Sequence, residues 1–221
     1  LGDSVKHRDA HERALLIFER ELGSDNVAVA DMLNRAVADV LNSLGSEYMR
    51  LGDDAKARDA CERALPIYER ELGSDSKEVA GLLNNLGLVY NNLGDHAKAR
   101  DMLERALSIF ERDYGEDSTE VALTLVNLGN AYGRLGDQAK KRDMLERALA
   151  IEERAYGSDH PEVSITLGNL GDAYQALDDH AMAREVIERA LAIQERAYGR
   201  EHAKLAPRLR SLAIAYAQLR D

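Results

Sequence analysis

Few residues of this chain are of a type and spacing that could do chemistry. His7 and His11 stand four apart, so one helical face could present both rings to a metal ion. No third ligand accompanies them, whereas structural zinc takes four, and no metal site is expected. Cys61 is the only cysteine. It excludes a disulfide framework within the chain and fits a reducing, cytoplasmic compartment. Asp101, Asp143 and Glu185 each precede an arginine (Arg105, Arg147, Arg189) by four residues and read as i,i+4 pairs on solvated helix surfaces. No G-x-S-x-G, Walker A, H-E-x-x-H or Cys-x-x-Cys occurs. No catalytic residue and no cofactor is expected, and the chain does not read as an enzyme. The formal net charge of −11 disfavours duplex nucleic acid. No run of 18 apolar residues is present that could span a membrane.

What positions these residues is a repeat. A shift of 42 residues carries Leu135-Gly136-Asp137 onto Leu93-Gly94-Asp95 and again onto Leu51-Gly52-Asp53. Forward it reaches Leu177-Asp178-Asp179 and Leu219-Arg220-Asp221, and Tyr132 maps onto Tyr48, Tyr90, Tyr174 and Tyr216. Self-similarity at such a period is the mark of a repeat array, each unit packing on its neighbours. Each unit holds two helical stripes. Val121, Leu125, Leu128, Tyr132 and Leu135 form one; Met144, Ala148, Ile151 and Ala155 form the next. Gly136 and Gly157 end these helices and Asp137 can cap the second. Asp159-His160-Pro161-Glu162 reads as a helix start with aspartate as the cap, and the same Asp-x-x-Glu box stands at Asp75–Glu78 and Asp117–Glu120. Gly45, Gly87, Gly129 and Gly171 lie inside a helix, each at a cost of ~1 kcal/mol against alanine. Close approach of a partner helix is the expected reason. His7 and His11 fall where three sibling helices carry small or apolar residues (Ala57 and Cys61, Ala99 and Leu103, Ala183 and Ile187), and Cys61 falls where siblings carry Leu103 and Leu145, so a buried, inert thiol is expected.

The pattern Leu-x-x-Leu-Gly-x-x-Tyr-x-x-x-Gly, followed by alanines and Leu-x-Arg-Ala-Leu, resembles the tetratricopeptide repeat. The 42-residue period and the Gly-x-Asp-His-Pro-x-Val junction at Gly157–Val163 are similar to the kinesin light chain and nephrocystin-3 subtype. The resemblance implies an all-α fold, a right-handed α-α superhelix of about ten antiparallel helices, as a single array over 1–221. In family terms the Leu-Gly-Tyr helix is A and the Arg-Ala-Leu helix is B. The expected order is a lone B helix over 4–21, A/B pairs over 27–72, 76–114, 118–156 and 160–198, and a lone A helix over 202–219.

Two departures stand out. The first spacing has eight extra residues, and their source is visible: AVADMLNR at Ala28–Arg35 is nearly repeated as AVADVLNS at Ala36–Ser43. One helix over Val27–Leu51 is expected, about 12 Å longer than its siblings, with the preceding B helix docking off-register by roughly 80°. The alternative is a loop over Asn26–Arg35. Pro66 interrupts a B helix and Pro207 the last A helix, where kinks are expected.

The resemblance also implies a concave face lined by A helices. The residues flanking the Leu-Gly-Tyr stripe there are Asn42 and Arg50; Asn84, Asn85, Leu88, Asn91 and Asn92; Val126, Asn127, Asn130 and Arg134; Asn169, Asp172 and Gln175; Arg210 and Ile214. Asparagine is a poor interior helix former, and its amide can pair with any extended backbone. The expected function is to hold a protein or peptide segment in this groove. The segment would be mildly acidic, with apolar anchors near Leu88, Val126 or Ile214. Two alternatives stand beside it. One is a sensor or scaffold segment of a larger protein, since the chain opens and closes on half-repeats. The other is homo-oligomerisation through array ends or the long helix.

Overall fold

The structure, a computed structural model, describes residues 2–21 and 27–219. Asn26 and the last register mark, Arg220-Asp221, lie outside the described residues. The chain divides into two compact units, 1–113 and 114–221. Among the described residues it is helical, with a single 3₁₀ turn at Ala203–Leu205 and no strand. The first unit contains α1 (Gly2–Glu21), α2 (Val27–Leu51), α3 (Asp54–Leu72), α4 (Lys77–Leu93) and α5 (His96–Tyr114, whose last residue belongs to the second unit). The second contains α6 (Thr119–Arg134), α7 (Gln138–Tyr156), α8 (Pro161–Ala176), α9 (His180–Tyr198) and α10 (Ala206–Gln218).

Leucines on the A helices and alanines on the B helices build each core. In the first unit Leu41, Leu82, Leu83, Leu86 and Leu103 are fully buried. In the second, Leu167, Leu170 and Tyr174 of α8 pack with Ala183, Ile187, Ala190 and Ile193 of α9, and Ala215 of α10 joins them. The intrahelical glycines sit where A and B helices close on each other. A Cβ on Gly87 would collide with the Leu103 side chain, on Gly171 with Ile187, and on Gly45 with Cys61 Sγ; on Gly129 it would lie 3.2 Å from Lys141 O and 3.3 Å from Leu145 Cγ. The glycine cost in helix propensity is offset by this close packing. Burial pushes the Cys61 thiol up to about 12, which keeps it protonated and inert.

Three polar ladders fix the register. Four A-helix tyrosines donate to a glutamate on the preceding B helix: Tyr48 to Glu12, Tyr90 to Glu62, Tyr174 to Glu146, Tyr216 to Glu188. Burial first, then that carboxylate, pushes Tyr48, Tyr90 and Tyr174 up to about 12. Successive B helices are tied by Arg63 to Glu19, Arg105 to Glu69 at 2.7 Å, and Arg189 to Glu153. Arg105 and Arg189 also reach the Ser74 and Ser158 carbonyls. These arginines are therefore not engaged in i,i+4 pairs. Asp101 and Asp143 instead hold their immediate neighbours Arg100 and Arg142 at 2.6 Å.

The third ladder corrects the expected caps. Ser76, Ser118 and His160 cap α4, α6 and α8, accepting from Val79, Val121 and Glu162 N–H. The aspartate one residue earlier has another partner. Arg154 grips Asp117 with two bonds of 2.8 Å, Arg196 grips Asp159 with bonds of 2.8 and 2.7 Å, and Arg112 donates to the Asp75 carbonyl. Asp53, Asp137 and Asp179 do cap the B helices, accepting from Lys56, Lys140 and Met182 N–H.

α2 runs unbroken over 25 residues, against 17, 16 and 16 for α4, α6 and α8. Its docking differs from the off-register expectation. Tyr48 still meets Glu12 across 36 residues where its siblings span 28, so the extra eight lie wholly ahead of the shared register. α3 stays one helix through the exposed Pro66. Pro207 opens α10 in its first turn, where its missing N–H costs nothing, rather than kinking it.

Candidate partner-binding faces

In the first unit the residues expected to line a groove mostly engage one another or nearby side chains. Asn85 donates to Asn42 across 3.4 Å, joining α4 to α2. Asn92 donates to Asp54 at 3.1 Å, Asn91 meets His96 at 3.4 Å, and Arg50 pairs with Glu47. Asn84 is buried. Leu88 is exposed and available as an apolar anchor. The ladder of asparagines thus spends part of its bonding capacity on the stack itself, as buried amides must.

In the second unit Val126 packs against the core and Asn127, Asn130 and Asn169 are half-buried. Gln175 donates to the Ser211 carbonyl at 2.7 Å, joining α8 to α10. Arg134, Arg210 and Ile214 are exposed. Two residues outside the expected set dominate the electrostatics. Lys141 of α7 stands where sibling B helices bury Ala57, Ala99 and Ala183. Its stem crosses Gly133, where a Cβ would lie only 2.5 Å from Lys141 Cδ. Burial lowers its pKa; Asp172 raises it, and Arg134 and Arg208 lower it further. Arg208 of α10 lies across Gly168, whose added Cβ would collide with the guanidinium, and stands 3.5 Å from Asp172. Gly133 and Gly168 thus make room for two cations. Lys141 thus feels two arginines and one carboxylate, in a protein of net charge −11. The signal was present in the sequence: AKKR at Ala139–Arg142 breaks the AKAR of Ala55–Arg58 and Ala97–Arg100. It lies on a B helix, outside the A-helix positions from which a groove was expected.

His7 is exposed and stands 4.0 Å from Glu47. Among the described residues no three His, Cys, Asp or Glu are placed to hold a metal ion, and no helix is long and apolar enough to cross a membrane. His160 and His202 serve structure: each accepts a backbone N–H at a helix start and lies against a tyrosine, Tyr156 at 4.9 Å and Tyr198 at 5.2 Å.

The family model of the tetratricopeptide repeat matches residues 36–90, 78–151, 142–196 and 169–221. A search of the curated proteins finds no match. Among solved structures, BtubC (BKLC) from P. vanneervenii is similar over 99% of this chain and 85% of its own, at 24% identity and TM-score 0.76. The nearly identical TPR-like repeats of a candidate kinesin light chain from Podosopora anserina match 89% of this chain and 90% of theirs, at 21% identity and TM-score 0.68. MamA matches 89% of this chain and 96% of its own, at 19% identity and TM-score 0.60. At these identities the likeness is one of fold.

Proposed function

Because the chain belongs to the tetratricopeptide repeat family, whose repeats generally mediate protein–protein contact, we propose that it is a scaffold holding an extended segment of a protein partner against its A helices. Acidic residues of that segment would lie at Lys141. The observation that carries this reading is the half-buried lysine at a position its siblings fill with alanine, flanked by Arg134 and Arg208. A desolvated ammonium is a liability to the free fold and gains most from an incoming carboxylate. Ile214, exposed on α10 in the same unit, is an apolar anchor for such a segment. The single buried thiol agrees with a reducing, cytoplasmic setting.

The test is fluorescence anisotropy with a labelled acidic octapeptide carrying leucines. Lys141→Ala restores the residue of the sibling helices, so the variant should fold and melt higher than the parent. Its affinity should drop about tenfold, the worth of one charge-assisted bond, and the parent's affinity should fall with added salt. Unchanged affinity in the variant would remove Lys141 from the binding face.

A further inference from the structure

A notch at the helix ends of the second unit carries an inference independent of the A-helix faces. Thr119 and Glu120 of α6, Glu152 and Tyr156 of α7, and His160 and Glu162 at the start of α8 line a cavity of ≈400 Å³. Glu152 is only 8% exposed. Its Oε1 accepts from the Thr166 hydroxyl at 3.0 Å, while its Oε2 is buried without a hydrogen-bond partner. Burial raises its pKa against the Thr166 bond, which lowers it. An orphaned carboxylate oxygen is costly to keep. The position is also unusual within the chain. Its siblings Phe18, Tyr68 and Phe110 are aromatic and Gln194 is neutral, so Glu152 both gives up ring volume and adds a charge.

The first unit fills the equivalent place by itself. A shift of 84 residues carries Arg35, Tyr68 and Glu78 onto Thr119, Glu152 and Glu162. The Arg35 guanidinium lies 5.4 Å over the Tyr68 ring, bonds Asp39 at 3.1 Å and feels the charge of Glu78. In the second unit the arginine has become a threonine too short to cross the notch, Asp39 has become Leu123, and the acidic groups have moved to the floor and mouth.

We propose that this notch receives the side chain of an arginine from a protein partner, its guanidinium seated on Glu152 between Glu120 and Glu162. The Glu152 Oε2, unpartnered in a residue that lines the cavity, is the acceptor such a guanidinium would use. The planar fork of the guanidinium suits a carboxylate bidentately and lies flat on aromatic rings, which an ammonium does less well. The Tyr156–His160 stack, with centroids 4.9 Å apart, supplies the rings.

The probe is acetyl-Ala-Arg-Ala-amide, with the citrulline peptide as its neutral isostere, titrated into the ¹⁵N-labelled chain. The arginine peptide should shift the amides of 119–123 and 156–162 saturably, and the citrulline peptide should not. Glu152→Gln, which copies the residue at Gln194, should weaken binding about tenfold or more. Lys141→Ala should leave it unchanged, which separates this site from the acidic-segment face. Thr119→Arg supplies the missing guanidinium in cis: it should abolish peptide binding and raise the melting temperature in the parent but not in the Glu152→Gln background. Equal binding of the citrulline peptide, undiminished binding by Glu152→Gln, or the same Thr119→Arg shift in both backgrounds would each overturn the proposal.

Discussion

Asp178 adopts φ 60 where the sibling turns place Gly52, Gly94 and Gly136 at φ 77, 85 and 93. A side chain in that region is strained, although aspartate tolerates it better than most residues. Asp178→Gly should therefore raise the unfolding free energy by about 0.5–1 kcal/mol in a urea titration, net of the entropy glycine adds to the unfolded chain. The tyrosine–glutamate ladder makes a prediction in pH. Tyr48, Tyr90 and Tyr174 ionise near 12 in the fold, against about 10 unfolded. The unfolded chain therefore loses these protons first. Their stabilisation is complete below pH 10 and disappears as pH rises through 12. Melting followed by circular dichroism should decline from pH 10 upward. Tyr90→Phe should lower stability at neutral pH by ~1.5 kcal/mol, the bond to a charged acceptor, and flatten that decline.

At the scale of the helix, what the sequence reveals and what it hides divide by range. The stripes, the glycine stops and the aspartate caps of the B helices are local features and are legible; the need for Gly87 and Gly171, set by Leu103 and Ile187 on the next helix, is legible because the glycine recurs from repeat to repeat. The caps of the A helices were misread by one residue. The aspartate of the Asp-x-x-Glu box is claimed by an arginine 37 residues later, and no local rule sees that pair. The same holds for Arg105 and Arg189, which reach past a near carboxylate to the previous B helix. Residue type puts asparagines on the A helices, but whether Asn85 meets a ligand or Asn42 depends on packing, and it donates to Asn42. α2 offers a test of how far register governs the helix. Deleting residues 28–35 restores the sibling spacing of 28 between Glu12 and Tyr48. The variant should fold with that pair intact and lose about 2 kcal/mol, the burial of Leu33. Loss of cooperative melting would show that the overhang is integral to the first unit.

At the scale of the molecule, stability in a repeat fold is a sum over units and their nearest interfaces rather than one core. Leu83→Ala, in the centre of α4, should cost 2–5 kcal/mol locally. By hydrogen exchange, amides of α2–α4 should open sooner than those of α8 and α9; uniform acceleration would mean that the whole chain unfolds as one body. The eight residues that precede the shared register of α2 have a counterpart in heredity. A slip of eight codons during copying ordinarily scrambles a packed protein, because every later side chain changes face. Here the tyrosine clasp and everything after it keep their places, so the error is confined to one helix end. A helix end ahead of the clasp is thus a place where this fold accommodates added length, as the near-identical octads at Ala28–Ser43 illustrate.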